Sequence, residues 1–174
     1  AEIGALMKIL DFYLKKELNR MKKENIQFKT IGHVVDLPVS IQKLIKYSID
    51  ETRNNTGMIL TLALSYGGRQ EIIDAVKQIA QIVKDGEVLP EDIDSPLFES
   101  FLSTHPIPDP DLLIRTSGER RISNFLLYQS AYTELHYNKV LWPDFTEDDF
   151  LNAIIDYQGR DRRFGMTQEQ IAKA

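Results

Sequence analysis

Arg115, Arg121, Ser123 and Glu134 fall within one short stretch of the chain. A guanidinium is a planar fork that donates two parallel, charge-assisted hydrogen bonds, which suits phosphate oxygens. A serine hydroxyl adds a donor. If Ser123 opens a helix, as the apolar, aromatic-rich run behind it predicts, that helix also offers backbone N–H groups and a partial positive charge. Magnesium in phosphate chemistry is usually held by one or two carboxylates plus the phosphates themselves, a role open to Glu134. These residue types suit a diphosphate with a divalent cation. They suit equally a solvated charged loop followed by a helix-end carboxylate, and spacing alone leaves both open.

A second stretch, Tyr66-Gly67-Gly68-Arg69, sits between an apolar run and a helical pattern. A glycine pair between strand and helix lets backbone approach an anion closely. It is neither the G-x-G-x-x-G fingerprint nor a P-loop, which needs Lys-Ser/Thr, and a tight strand-to-helix turn explains it as well. His33, His105 and His136 have no metal-site spacing, and no serine lies in a nucleophile elbow.

The elements that must position these residues alternate between helix and strand. Ile3, Leu6, Leu10, Tyr13, Leu14 and Leu18 give the stripe of an amphipathic helix, and Ile41, Leu44, Ile45 and Ile49 give a second. Strands are predicted over 27–33, 58–65, 112–115 and 136–140. The run MILTLALS, 58–65, is apolar on both faces, as in an inner parallel strand covered on two sides. Thr146 and Asp149 resemble a capping box ahead of a last helix. The alternation predicts an α/β fold, a mostly parallel central sheet flanked by helices, in a single domain over 1–174. Ligands of such a sheet lie beyond the carboxyl ends of its strands, where Tyr66–Arg69 and Arg115 both fall.

The chain has 174 residues, a formal net charge of -5 and no cysteine. The acidic balance argues against nucleic-acid binding, which wants a basic face. Disulfides, thiolate metal sites and cysteine nucleophiles are excluded, and a cytoplasmic setting is natural. No apolar run approaches the ~18 residues of a membrane span, so peripheral contact is the expected kind.

Together these residues carry a resemblance. The run DPDLLIRTSGERRISNFLLYQSAYTELHYNKVLWPDF, 109–145, resembles the C-terminal signature of cis-prenyltransferases of the bacterial undecaprenyl diphosphate synthase type. SYGGRQEI, 65–72, and RRFG, 162–165, resemble two further blocks of that family, in order. The resemblance implies repeated condensation of isopentenyl diphosphate onto an allylic diphosphate such as farnesyl diphosphate, with Mg²⁺, by a homodimer. It implies that Arg115, Arg121 and Ser123 bind isopentenyl diphosphate and that Glu134 is a metal-site carboxylate. Arg163 and Gly165 would belong to a diphosphate motif reaching across the dimer. Tyr66, Gly67, Gly68 and Arg69 would lie at the active-site edge, and 58–64 would line part of a tunnel for the growing chain.

The family pattern also has an N-terminal third with a strand ending in Asp-Gly-Asn, whose aspartate is central to catalysis. No such motif occurs in this sequence, and the resemblance puts that aspartate upstream of Ala1. The expectation is therefore an N-terminally truncated chain with an incomplete sheet, no catalytic residue of its own, and no activity alone. A non-catalytic partner subunit of a two-component cis-prenyltransferase is the rival, although such subunits tend to lose the isopentenyl diphosphate ligands retained here.

Overall fold

The computed structural model describes residues 2–161. Ala1, the point upstream of which the family aspartate is expected, lies outside the described residues, as do Arg163 and Gly165. The chain forms two compact units that divide between His105 and Pro106.

In the first unit the amphipathic stripes become two helices, α1 (Glu2–Lys23) and α2 (Val39–Thr52). They pack on β1 (Gln27–Ile31), burying Leu14, Leu18, Met21, Phe28, Ile41 and Ile45 as one cluster. Each such side chain taken out of water is worth about 1.5–3 kcal/mol. Thr52, fully buried, satisfies its hydroxyl within this core: it donates to the Ser48 carbonyl at 2.8 Å and accepts from the Phe28 N–H at 3.0 Å. The Asn54–Gly57 cluster makes the turn into β2 (Ile59–Ala63). Asn55 Nδ2 bonds the Ile26 carbonyl at 2.7 Å, and the Gly57 N–H bonds the Asn25 carbonyl at 3.0 Å. β1 and β2 pair in parallel from Gln27↔Ile59 to Ile31↔Ala63.

One expectation fails here. The doubly apolar run 58–65 predicts cover on both faces, but Met58 is 62% exposed, Ile59 and Leu60 are exposed too, and β1 is the one strand paired with β2 among the described residues. Apolar composition reports what a strand is suited to be buried in, not what its own unit supplies. Helix α3 (Gly68–Lys84) follows from Gly67, and the short α4 (Ser95–Ser100) starts on an Asp94 cap that accepts from the Leu97 N–H at 2.9 Å.

The second unit holds β3 (Leu112–Arg115), β4 (Glu134–Tyr137) and α5 (Glu147–Gln158). The two strands pair in parallel, Leu112↔Glu134 to Arg115↔Tyr137. The capping box forms as the sequence suggests: the Thr146 N–H donates to Asp149 Oδ2 at 2.9 Å, and the Asp149 N–H donates to Thr146 Oγ1 at 3.3 Å.

The helix predicted from Ser123 to Glu134 does not form. Ser123, Asn124 and Leu126 have φ of 48°, 65° and 46°, in the left-handed region, and each interrupts the right-handed i→i−4 ladder. Residues 123–132 are a succession of turns and bends, and Glu134 is the first residue of β4 rather than a helix end. Both sheets are parallel, so the α/β character holds.

Candidate functional site

Arg115 is the last residue of β3, and the backbone beyond it is tied down on both sides. Its carbonyl accepts from the Asn138 N–H at 2.8 Å; the Ser117 N–H reaches the Val140 carbonyl at 2.8 Å, and the Gly118 N–H the Asn138 carbonyl at 2.9 Å. Ser117 and Gly118 both have φ of 67°, which turns the chain out of the sheet there. Asn138 Oδ1 accepts from the Val140 N–H at 2.8 Å, which shapes the strand end that receives the loop.

Within this frame the Arg115 guanidinium is half-buried and forms no hydrogen bond or ion pair with any other described residue. Partly removing a guanidinium from water without a counter-charge is unfavourable unless a ligand supplies one. Arg121 is exposed and is held by Glu119 in an ion pair within the loop. Ser123 is exposed and its hydroxyl has no described partner. Two of the three expected phosphate donors are thus uncommitted, and the third is engaged by a partly exposed carboxylate. The helix dipole that would assist Ser123 is absent, because no helix starts there.

Glu134 is held. Its Oε2 accepts from Arg160 Nη1 at 2.8 Å, and both side chains are a little under one-third exposed. Its Oε1 has no partner among the described residues, so one carboxylate oxygen remains for a cation. Among the described residues no group of three or more carboxylate or histidine ligands could hold a metal by itself. A magnesium ion would therefore take one ligand from Glu134 and the rest from phosphates or other groups, a fit for the way this ion is bound with phosphate substrates.

The Arg160 contact belongs to a cluster that motif reading missed. Arg160 Nη2 bonds Asp156 Oδ2 at 2.6 Å, and His136 Nδ1 lies 2.8 Å from the same oxygen. His136, then Arg160, hold the Asp156 carboxyl below the usual carboxylate range. Two spacings point to it: Glu134 and His136 are i, i+2 on one strand face, and Asp156 and Arg160 are i, i+4 at a helix end. Arg160 is thus committed to two carboxylates.

In the first unit, Tyr66 and Gly67 line a cavity of about 270 Å³ at the carboxyl ends of β1 and β2, with Gly32, His33, Glu71 and Asp74. Tyr66 OH donates to Glu71 Oε2 at 2.6 Å, and the Ser103 N–H bonds Glu71 Oε1 at 3.0 Å, so this buried carboxylate is satisfied. His33 Nε2 is 3.0 Å from Asp74 Oδ2. Gln70, then His33, lower the Asp74 carboxyl. Gly67 caps α3 with extended backbone, Gly68 is its buried first residue, and Arg69 follows with a partner of its own. The glycine pair therefore serves a strand-to-helix turn at a polar cavity. A separate apolar cleft of about 120 Å³ is lined by Leu10, Tyr13, Leu14, Phe28, Leu60 and Leu62, among others.

The fold is a parallel α/β scaffold in which a strand ends on an arginine with no counter-charge among the described residues. The model described as "Putative undecaprenyl diphosphate synthase" matches residues 1–165. The isoprenyl transferase of Geobacter sulfurreducens is 51% identical over 170 residues, 98% of this chain and 69% of the relative. That of Geobacillus kaustophilus is 52% identical over 165 residues, 95% of this chain and 64% of the relative. Among solved structures, lavandulyl diphosphate synthase from Lavandula x intermedia, in complex with dimethylallyl diphosphate, superposes with a TM-score of 0.92 at 40% identity, covering 94% of this chain and 71% of that one. A "probable undecaprenyl diphosphate synthase" from Campylobacter jejuni gives 0.82 at 29% identity, covering 94% and 74%. The chain belongs to the undecaprenyl diphosphate synthase family of prenyltransferases. It spans about two thirds of the length of the relatives it matches, 60% in the case of Prochlorococcus marinus. No described helix is long and apolar enough to cross a membrane.

Proposed function

We propose that this chain carries the isopentenyl diphosphate half of a cis-prenyltransferase site, in an enzyme that extends an allylic diphosphate such as farnesyl diphosphate to a long-chain polyprenyl diphosphate, of undecaprenyl type. The observation that carries the proposal is Arg115: a half-buried guanidinium at a strand's carboxyl end, with no counter-charge among the described residues. In this reading Arg115 and Arg121 grip the diphosphate and Ser123 donates a further hydrogen bond. The bound isopentenyl double bond attacks the allylic carbon as its C–O bond to diphosphate breaks. A C–C bond forms, diphosphate leaves and one proton is lost. Magnesium, which Glu134 would help hold, supplies neutralisation of phosphate charge. The arginines do the same from fixed positions, so little reorganisation is needed as charge develops.

The apolar cleft beside Leu60 and Leu62 supports a hydrophobic path for the growing chain along the 58–64 segment. A homodimer accords with the exposed apolar surface of the second unit, where Trp142 is 72% exposed and stacks on Phe145 at 5.9 Å, with Leu141 and Ile155 exposed as well. Arg163 and Gly165 would serve a diphosphate across that dimer. Cytoplasmic synthesis with peripheral membrane contact for the lipid product completes the proposal.

The test is incorporation of radiolabelled isopentenyl diphosphate into polyprenyl product by the full-length protein and its Arg115→Ala variant. Loss of incorporation with unchanged thermal midpoint is expected. An R115A enzyme with unchanged KM for isopentenyl diphosphate and unchanged turnover would overturn the assignment.

A further inference from the structure

Two carboxylates and a backbone carbonyl meet at the Arg160 guanidinium, and both carboxylates are partly open to solvent. Nη1 lies 2.8 Å from Glu134 Oε2 and 3.1 Å from the Leu135 carbonyl, while Nη2 lies 2.6 Å from Asp156 Oδ2. One planar fork thus spans the start of β4 and the last turn of α5. The Arg160 N–H also closes the end of α5 by bonding the Tyr157 carbonyl at 3.1 Å, directly after Gly159. His136, on the same strand face as Glu134, extends the chain of contacts by its own approach to Asp156 Oδ2 at 2.8 Å.

We infer that Arg160 is the positioning residue of Glu134: it fixes one carboxylate oxygen so that the other, Oε1, is presented to a divalent cation. The inference rests on the proposed role of Glu134 as a metal ligand. A ligating carboxylate whose second oxygen is hydrogen-bonded keeps one rotamer and one face toward the metal, and losing such a support costs about 10–100-fold in metal affinity or activity. The alternative is competition, in which a guanidinium on the carboxylate repels the cation. The two have opposite signs. Geometry favours positioning, because Arg160 occupies Oε2 alone and its charge is shared with Asp156 and a carbonyl. Lysine cannot substitute: an ammonium is a point donor and does not span the same acceptors in one plane.

The experiment titrates Mn²⁺ alone into the full-length protein, reading free Mn²⁺ by electron paramagnetic resonance, for wild type, Arg160→Ala, Arg160→Lys and Glu134→Gln. Expected are a Kd for Mn²⁺ raised about 10–100-fold in R160A, a fall in kcat/KM of similar size, and an R160K variant that regains the thermal midpoint but not the Mn²⁺ affinity. Unchanged or tighter Mn²⁺ binding in R160A would overturn the inference, the tighter result identifying Arg160 as a competitor. If R160A does not fold, R160K alone decides, with wild-type affinity as the overturning result. Glu134→Gln separates the two layers: if it leaves Mn²⁺ affinity unchanged, the metal-ligand reading of Glu134 falls and the inference with it. If it weakens binding while R160A does not, Arg160 alone is refuted.

Discussion

Arg121 is bound by Glu119, two residues before it, in an ion pair that leaves both side chains substantially in solvent. Arg115, six residues earlier, is half-buried and has no such partner among the described residues. The two arginines of one proposed clamp are therefore poised differently: Arg115 is ready, and Arg121 must exchange one anion for another. An exposed pair is worth only about 0.2–1 kcal/mol, so Glu119 is a weak competitor. Glu119→Gln is expected to lower the KM for isopentenyl diphosphate by up to about 5-fold, with the gain shrinking as salt is raised. Steady-state kinetics at two ionic strengths checks this, and an E119Q enzyme with a higher KM would show that Glu119 orders the loop instead.

Arg121→Ala and Arg115→Ala should differ in kind. Hydrogen bonds to charged groups contribute about 1.5–3 kcal/mol, so loss of Arg115 is expected to reduce kcat/KM by roughly 10–150-fold. Because Arg115 has no partner among the described residues, its removal should leave the urea midpoint unchanged or raise it. Loss of Arg121 should raise KM and lower turnover by a smaller factor, since part of its binding energy goes into leaving Glu119. Equal effects of the two substitutions would argue against the distinction.

The parts of this molecule legible from sequence are those governed by local periodicity and local chemistry. The stripes of α1 and α2, the β3 strand that ends on Arg115, and the Thr146–Asp149 box all rest on side chains within a turn or two of one another. The stretch after Ser123 misleads because its apolar spacing suits a helix while its backbone enters the left-handed region at three positions, none of them glycine. Nothing in Ser123, Asn124 or Leu126 except the modest tolerance of asparagine announces that. β2 is legible as a strand, but its cover is a tertiary property and is not. Arg160 is hidden for a related reason: a run of arginines looks solvated until the strand that carries Glu134 and His136 is placed beside it.

Gly32 follows β1 with φ of 94°, and a Cβ built on it would lie 2.3 Å from the Leu64 carbonyl oxygen. That oxygen is backbone, and its residue is locked by the Leu64 N–H bond to the Ile31 carbonyl at 2.9 Å, so it cannot yield as a flexible side chain would. A left-handed non-glycine residue alone costs on the order of 1–3 kcal/mol. Gly32→Ala is expected to destabilise the protein by at least that range and to lower the thermal midpoint by circular dichroism. Gly86→Ala is the control: its φ is 76°, but nothing lies within 4 Å of the added Cβ, so it should show the backbone penalty without the clash. Equal losses in the two variants would mean that the ends of β1 and β2 are not held together as described.

The start of α5 carries its own dependence on pH. The Thr146 backbone N–H, then the Thr146 hydroxyl and Asn138 Nδ2, hold the Asp149 carboxyl below its ordinary value, while partial burial opposes them. A carboxyl whose folded value is depressed contributes stability that is fully present above the unfolded value, near 3.9, and is lost as pH falls through the folded value. The contribution should therefore be constant from neutral pH down to about pH 5 and disappear below about pH 4. Asp149→Asn removes the charge at every pH. Its urea midpoint should lie below that of wild type at pH 7, and the two should converge in acid. Thr146→Ala, which removes the hydroxyl cap, should cost about 1 kcal/mol at pH 7 and leave a smaller acid-dependent difference, because the backbone N–H at position 146 still donates. A D149N midpoint that stays the same distance below wild type from pH 7 to pH 2 would assign the loss to packing around Asn138 rather than to the charged cap.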